Sequence, residues 1–231
     1  MSKSKSVGIL GCGWLGKPLS IELQKSFSVE CFSRENTLDN SSFWQSDIVI
    51  IAIHTKENYL DTVQKIATLT NSASDIILMS SISVYREFDE DVDESALITK
   101  GSLMKEAEDL LLAQRKRVLI LRLGGLMGSD RVAGVWKSAT AFSDGFVNYI
   151  HRDDVIAIIN KILHVEVNSG IYNLVAPNHP TRLEIHQKNS KKHNKEIGAF
   201  EGFSKRRVLA KKIIDELGYD FSYPNPLEFW D

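Results

Sequence analysis

With 231 residues, 43% of them hydrophobic and 25% charged, the chain can bury a sizeable core and is the size of one large domain. A formal net charge of −2 and an isoelectric point near 6.3 exclude an overall field that would gather nucleic acid or an anionic membrane, which leaves a small molecule as the expected partner. The start MSKSKSVGIL passes from a short polar tail into a strand-like segment. No later apolar run approaches the roughly 20 residues of a membrane span, so the default expectation is a cytoplasmic protein that does not enter the membrane.

Short apolar runs predict strands over 6–10, 27–32, 47–53, 75–80 and 117–123. Between them, apolar residues recur at helical spacing: Leu15, Leu19 and Leu23, then Leu60, Val63, Ile66 and Ala67, then Leu103, Ala107, Leu110 and Leu111. This alternation is the sign of an α/β protein with a Rossmann-type doubly wound parallel sheet. After Gly128 the pattern changes to a glycine-containing loop region, a helix over 154–163, a strand near 171–175 and a charged helix over 205–217. The expected division is therefore a Rossmann core over 1–128 and a small C-terminal α/β lobe over 129–231, with 147–175 adding elements to the core. The charge run QKNSKKHNK at 187–195 reads as a solvated loop or helix end. Cys12 and Cys31 are too few for a disulfide framework and read as reduced thiols.

The segment SVGIL-GCGWLG places Gly11, Gly13 and Gly16 in a G-x-G-x-x-G directly after a strand and at the start of a helix. The first glycine permits the tight turn, the second lets backbone approach a pyrophosphate, and the third lets the helix pack on the strand. The helix N-terminus, with Trp14 and Leu15, supplies N–H donors and a positive dipole end to the phosphates. Pro18 suits a first helical turn, where its missing N–H deprives no carbonyl. Ile53, at the end of the third strand, completes the expected cofactor wall. A glycine turn without ligand, or one binding S-adenosylmethionine or a flavin nucleotide, is the competing reading. About 20 residues after Gly11, where a carboxylate would hold the ribose diol of NAD, stand Ser33 and Arg34. The guanidinium fork of Arg34 suits a 2′-phosphate, so NADP is the preferred cofactor over NAD, with Glu30 as the weaker NAD candidate.

Taken in order, GCGWLG, DIVIIAI, LMSSISVY, LRLGGLMG, VNYIHRDDV and GIYNLVAP resemble the extended short-chain dehydrogenase/reductase superfamily, and within it the atypical NAD-dependent epimerase/dehydratase-like members. The resemblance runs from Val7 to about Leu217. It implies that Ser81 holds a substrate oxygen and that Lys105 contacts the nicotinamide ribose. The family's catalytic Tyr-x-x-x-Lys is incomplete, because the position four before Lys105 is Gly101. Proton donation then falls to Tyr85 or to a water held by Ser81. Ser81, Ser83 and Tyr85 share one face if the chain stays extended there. Family likeness also implies a substrate-side role for the C-terminal lobe, with Asn148 and His151 as candidate substrate contacts and a homodimer built on helices flanking the sheet. Asp153 and Asp154 read as helix caps.

Asp47 follows Ser33 by only 14 positions, so the helix and edge strand usual beyond the second strand are expected to be absent or reduced to a loop. His54, His164, His179, His186 and His193 show no metal-ligand spacing, and no metal is expected. Two functions fit these residues. One is an NAD(P)-binding oxidoreductase of the epimerase/dehydratase type, acting on a sugar-like or other hydroxyl or carbonyl substrate. The other is a non-catalytic protein that binds the cofactor as a structural or sensing ligand.

Overall fold

The computed structural model describes residues 4–33, 42–56, 58–86, 89–99, 101–135, 141–167 and 169–231. The chain opens with β1 (Ser6–Leu10), α1 (Gly16–Leu23), β2 (Ser28–Phe32), β3 (Ile48–Ile51), α2 (Tyr59–Leu69) and β4 (Asp75–Ser81). It continues through β5 (Asp91–Val92), α3 (Leu103–Gln114), β6 (Val118–Leu123) and β7 (Gly125–Met127). Then come β8 (Ala141–Gly145), β9 (Tyr149–His151), α4 (Arg152–Val165), β10 (Gly170–Leu174), α5 (Arg182–His193), β11 (Ala199–Ser204), β12 (Arg207–Val208) and α6 (Lys211–Leu217).

Six strands form a parallel sheet in the order β10-β6-β4-β3-β1-β2. Val7 lies opposite Val29 on one side and Ile48 on the other, and Ile48 in turn lies opposite Asp75. The inner strands are apolar on both faces, as helices on two sides demand: all four residues of β3 are buried. One face packs Val49, Ile51, Ile76 and Leu78 against Val63 and Ile66 of α2 and Ala107 and Leu111 of α3, which are the stripes read from the sequence. Strand order reverses at β1, because β2 lies on one side of it and β3 on the other. The crevice of such a sheet opens at the carboxyl ends of the strands flanking that reversal, here Gly11 and Ala52. Among the described residues β2 is the edge strand, and only a 3₁₀ turn, Ser42–Gln45, stands between it and β3.

Beneath the end of β4 lies a buried ionic group. Glu108 of α3 takes a two-pronged contact from Arg122 of β6, with Nε 3.0 Å from Oε1 and Nη2 2.7 Å from Oε2. Ser80 Oγ donates to the same carboxylate at 2.5 Å. With exposures of 2% for Arg122 and 0% for Glu108, each charge depends on the other for its solvation.

Two compact units divide the chain. The first comprises Met1–Val84, Ile98–Arg122 and Ile158–Tyr172; the second comprises Tyr85–Leu97, Leu123–Ala157 and Asn173–Asp231. The boundary expected from the sequence lies at 128, with 147–175 adding to the core; in this division 85–97 fall in the later unit, where Tyr85 and Glu94 both bond to Asn173. Within the second unit, Met127, Ala133, Val147, Ala176 and Ile185 pack with Phe229 and Trp230. Three short pairings accompany this core: β7 with β9, β5 with β12, and β8 with β11.

Two sequence readings change here, and a third, the helix end expected at 187–195, is placed at the end of α5. The helix expected over 205–217 starts only at Lys211, because β12 pairs with β5 and takes up the residues before it. The charge run at 187–195 falls mostly inside α5, whose start is fixed by a reciprocal cap between Thr181 and Glu184. Lys191, Lys192 and His193 then sit at its carbonyl end, where positive charge is favoured. Asp154 is in the first turn of α4, but its carboxylate accepts from Tyr219 Oη at 2.8 Å and from the N–H groups of Ser222 and Tyr223 at 2.9 and 3.0 Å. It anchors the C-terminal stretch rather than capping its own helix.

Candidate dinucleotide site

Gly11 follows β1 with φ at 113°, a region L-residues rarely adopt. Its N–H and that of Cys12 both donate to the Phe32 carbonyl, at 2.9 and 3.0 Å, which draws the turn across the end of β2. A methyl group on Gly11 would overlap the Ala52 carbonyl and come within 3.2 Å of Ile53 Cγ2, so this glycine lets β1 and β3 end side by side and sets Ile53 against the turn. A methyl on Gly16 would overlap the Gly11 carbonyl oxygen. Gly13 is different. It is exposed, its φ lies outside the left-handed range, and a methyl there would meet no heavy atom within 4 Å. The turn thus leaves open space over backbone at the amino end of α1, with Trp14 and Leu15 completing the loop and Pro18 in the first helical turn. The first turn of a helix, with its N–H groups and dipole, favours an anion at such a place.

Ser33 follows directly on β2 and is half-buried, while Arg34 lies outside the described residues. The rival carboxylate, Glu30, points its oxygens to Ser42 Oγ, at 2.5 and 2.6 Å, two residues short of the strand end. The expectation of two reduced thiols is corrected: Cys12 and Cys31 are joined as a disulfide, with Cα atoms 5.5 Å apart. The register that sets Cys31 opposite Ile9, together with the return of the turn onto Phe32, brings the two together.

At the end of β4 the chain does not stay extended. Ile82–Val84 form a 3₁₀ turn, and the Ser83 N–H donates to Ser81 Oγ at 3.1 Å. The three hydroxyls expected on one face are therefore separated: Ser81 is half-buried, Ser83 is exposed, and Tyr85 is 2% exposed. Tyr85 Oη donates to Asn173 Oδ1 at 2.7 Å inside the second unit. The proton-donor role expected of Tyr85 would have to be played from this buried, Asn173-bonded position. Lys105 lies in the first turn of α3, partly buried, and its ammonium pairs with Asp109 one turn on. Gly101 precedes the helix, exposed and with φ at 75°.

No family model matches the chain. Protein YeeZ of Escherichia coli is 28% identical over 269 aligned positions, which cover 96% of this chain and 98% of YeeZ. Human epimerase family protein SDR39U1, solved with NADPH, matches with a TM-score of 0.74 at 16% identity, covering 97% of each chain. UDP-glucuronic acid 4-epimerase from Bacillus cereus, solved with NAD, gives 0.76 at 17% identity, again over 97% of each chain. The chain shares the Rossmann-type α/β fold of these structures.

Within that fold, the first unit brings together Gly11, Gly13, Gly16 and Ile53 around the strand-order reversal. The residues expected on the substrate side, Asn148 and His151, make contacts within the second unit. Asn148 Oδ1 accepts from Val208 N at 2.6 Å and its Nδ2 donates to the Arg206 carbonyl at 3.2 Å, which ties β9's approach to β12. His151 is 3% exposed, stacks on Tyr223 at 3.8 Å between ring centroids, and accepts from the Asp153 N–H at 3.3 Å. Burial lowers its pKa, against the pull of Asp153 and Asp154. Among the described residues no group of His, Cys, Asp or Glu could hold a metal, and no helix is long and apolar enough to cross a membrane.

Proposed function

We propose that this chain binds a nicotinamide dinucleotide, NADP(H) in preference to NAD(H), and acts as an oxidoreductase of the epimerase/dehydratase type on a sugar-like or other hydroxyl or carbonyl substrate. The observation that carries the reading is the opening over Gly13, flanked by two glycines that the fold itself requires. Backbone N–H groups at the start of α1 would receive the pyrophosphate, with Gly11 and Ile53 beside it and Ser33 and Arg34 at the adenosine end. When bound, the cofactor supplies hydride acceptance and donation at its nicotinamide ring.

The chain's own contribution is positioning and proton handling. The Ser83 amide orients Ser81, whose hydroxyl keeps its proton for a substrate oxygen or for a water held against it. Lys105 contributes positive charge near the nicotinamide ribose. With Tyr85 bonded to Asn173 and glycine at position 101, Ser81 and its water are the proton path this reading retains.

Thermal-shift measurements with NADPH, NADH, flavin nucleotides and S-adenosylmethionine test the binding half, since a ligand that binds only the folded form raises its stability by about 2.7 kcal/mol at a hundredfold excess over Kd. NADPH is expected to give the largest shift; a response to S-adenosylmethionine alone would overturn the reading. Turnover of nucleotide sugars and simple carbonyl compounds under NADPH, lost in Ser81→Ala, tests the chemical half. Tight NADPH binding without turnover of any such compound would instead favour a structural or sensing ligand.

A further inference from the structure

We propose that Cys12 and Cys31 are a reversible dithiol–disulfide couple whose closed form holds the glycine turn in shape for the dinucleotide, so that thiol oxidation and cofactor binding reinforce each other. The proposal rests on the dinucleotide reading above. Cys12 stands between Gly11 and Gly13, the two most permissive positions of the turn, and Cys31 is the penultimate residue of β2. Their Cα separation of 5.5 Å is the spacing disulfides ordinarily show, and the two sulfurs are bonded. Both residues are half-buried, within reach of a small thiol or disulfide. The pair spans 19 positions and encloses the whole of α1, the helix whose amino end faces the opening over Gly13.

When the bond is open, the turn is tied to β2 by two hydrogen bonds onto one carbonyl, Phe32 O. Flanking glycines then leave the peptide units at 11–13 free to sample conformations that a pyrophosphate must freeze out. Closing the bond removes those conformations before the ligand arrives. By reciprocity, a bound dinucleotide favours the closed bond to the same degree.

Glutathione disulfide is an adequate oxidant. One cysteine thiolate attacks it, forming a mixed disulfide and releasing one glutathione thiolate. The second cysteine thiolate then attacks the protein sulfur and displaces the other glutathione. Two cysteines lose two electrons and two protons, and one glutathione disulfide becomes two glutathione thiols.

The test compares NADPH affinity by calorimetry for fully reduced protein and for protein oxidised with glutathione disulfide and desalted, with the loss of two hydrogens checked by intact mass. The oxidised form is expected to bind about fivefold more tightly. In a fixed glutathione buffer, saturating NADPH should raise the disulfide-to-dithiol ratio by the same factor, read by alkylation and mass. Cys31→Ser, on the β2 side of the pair, should bind like the reduced protein under both conditions. Failure to form the intramolecular bond, equal affinities, or tighter binding by the reduced form would each overturn the coupling while leaving the dinucleotide reading intact. Binding of neither NADPH nor NADH by either form would end both.

Discussion

The carboxyl ends of β1 and β4 both carry motifs of small residues, yet they finish in opposite ways. At β1 the turn displays backbone, and the one position where a side chain would fit without touching anything is glycine. At β4 the chain folds inward: Ser80 bonds to Glu108, Ser81 receives its neighbour's amide, and Tyr85 closes on Asn173. A motif of missing side chains keeps its meaning once folded, whereas a motif of hydroxyls has it only if those hydroxyls are not taken by partners of their own.

Breaking the sealed side should cost far more stability than altering the open one. Arg122→Met leaves the Glu108 carboxylate buried without its counter-charge and is expected to lower unfolding free energy by about 3–5 kcal/mol in chemical denaturation. Replacing both residues by leucine should recover much of that loss, because the desolvated pair goes as a unit. Next in size is the contrast within the turn. Gly16→Ala must push the Gly11 carbonyl aside and should cost about 1–3 kcal/mol, while Gly13→Ala, with open space around it, should melt like the parent.

Acid offers a further separation, through the second unit. His186 is 2% exposed, and burial, helped by Arg182 and opposed by Asp144, lowers its pKa to about 4. Because the unfolded chain takes up this proton near pH 6.5 and the folded one only near pH 4, stability should be full above pH 6.5 and fall as pH drops through that window. A His186→Phe variant should show a flatter melting profile between pH 6.5 and 4. Smallest of these effects is Tyr85→Phe, which strands Asn173 Oδ1 and should cost about 1–2 kcal/mol with NADPH affinity unchanged. A large drop in turnover at unchanged stability would restore Tyr85 to the proton path.

Much of the first unit was legible because its signals are repeated and local. The stripes Val63, Ile66, Ala107 and Leu111 and the continuous apolar run of β3 depend on burial alone, and they fell where periodicity put them. Gly11 and Gly16 were legible because only glycine tolerates backbone in contact with backbone. What escaped depends on partners distant in the chain. The thiols of Cys12 and Cys31 meet only through the β1–β2 register, and Tyr85 is claimed by an asparagine 88 residues away. The helix α5 was obscured by its charge, although the Thr181 and Glu184 cap that starts it stands in the sequence as a T-x-x-E. Strand β12 needs the distant β5 as a partner, so residues 205–210 looked like the start of the helix that follows.

The central claim, that the space over Gly13 belongs to a dinucleotide phosphate, is tested most directly by calorimetric titration of the parent and Gly13→Val with NADPH. The account predicts matched melting temperatures and an affinity at least about tenfold weaker in the variant, equivalent to ~1.4 kcal/mol. Equal affinity in two equally stable proteins would contradict it.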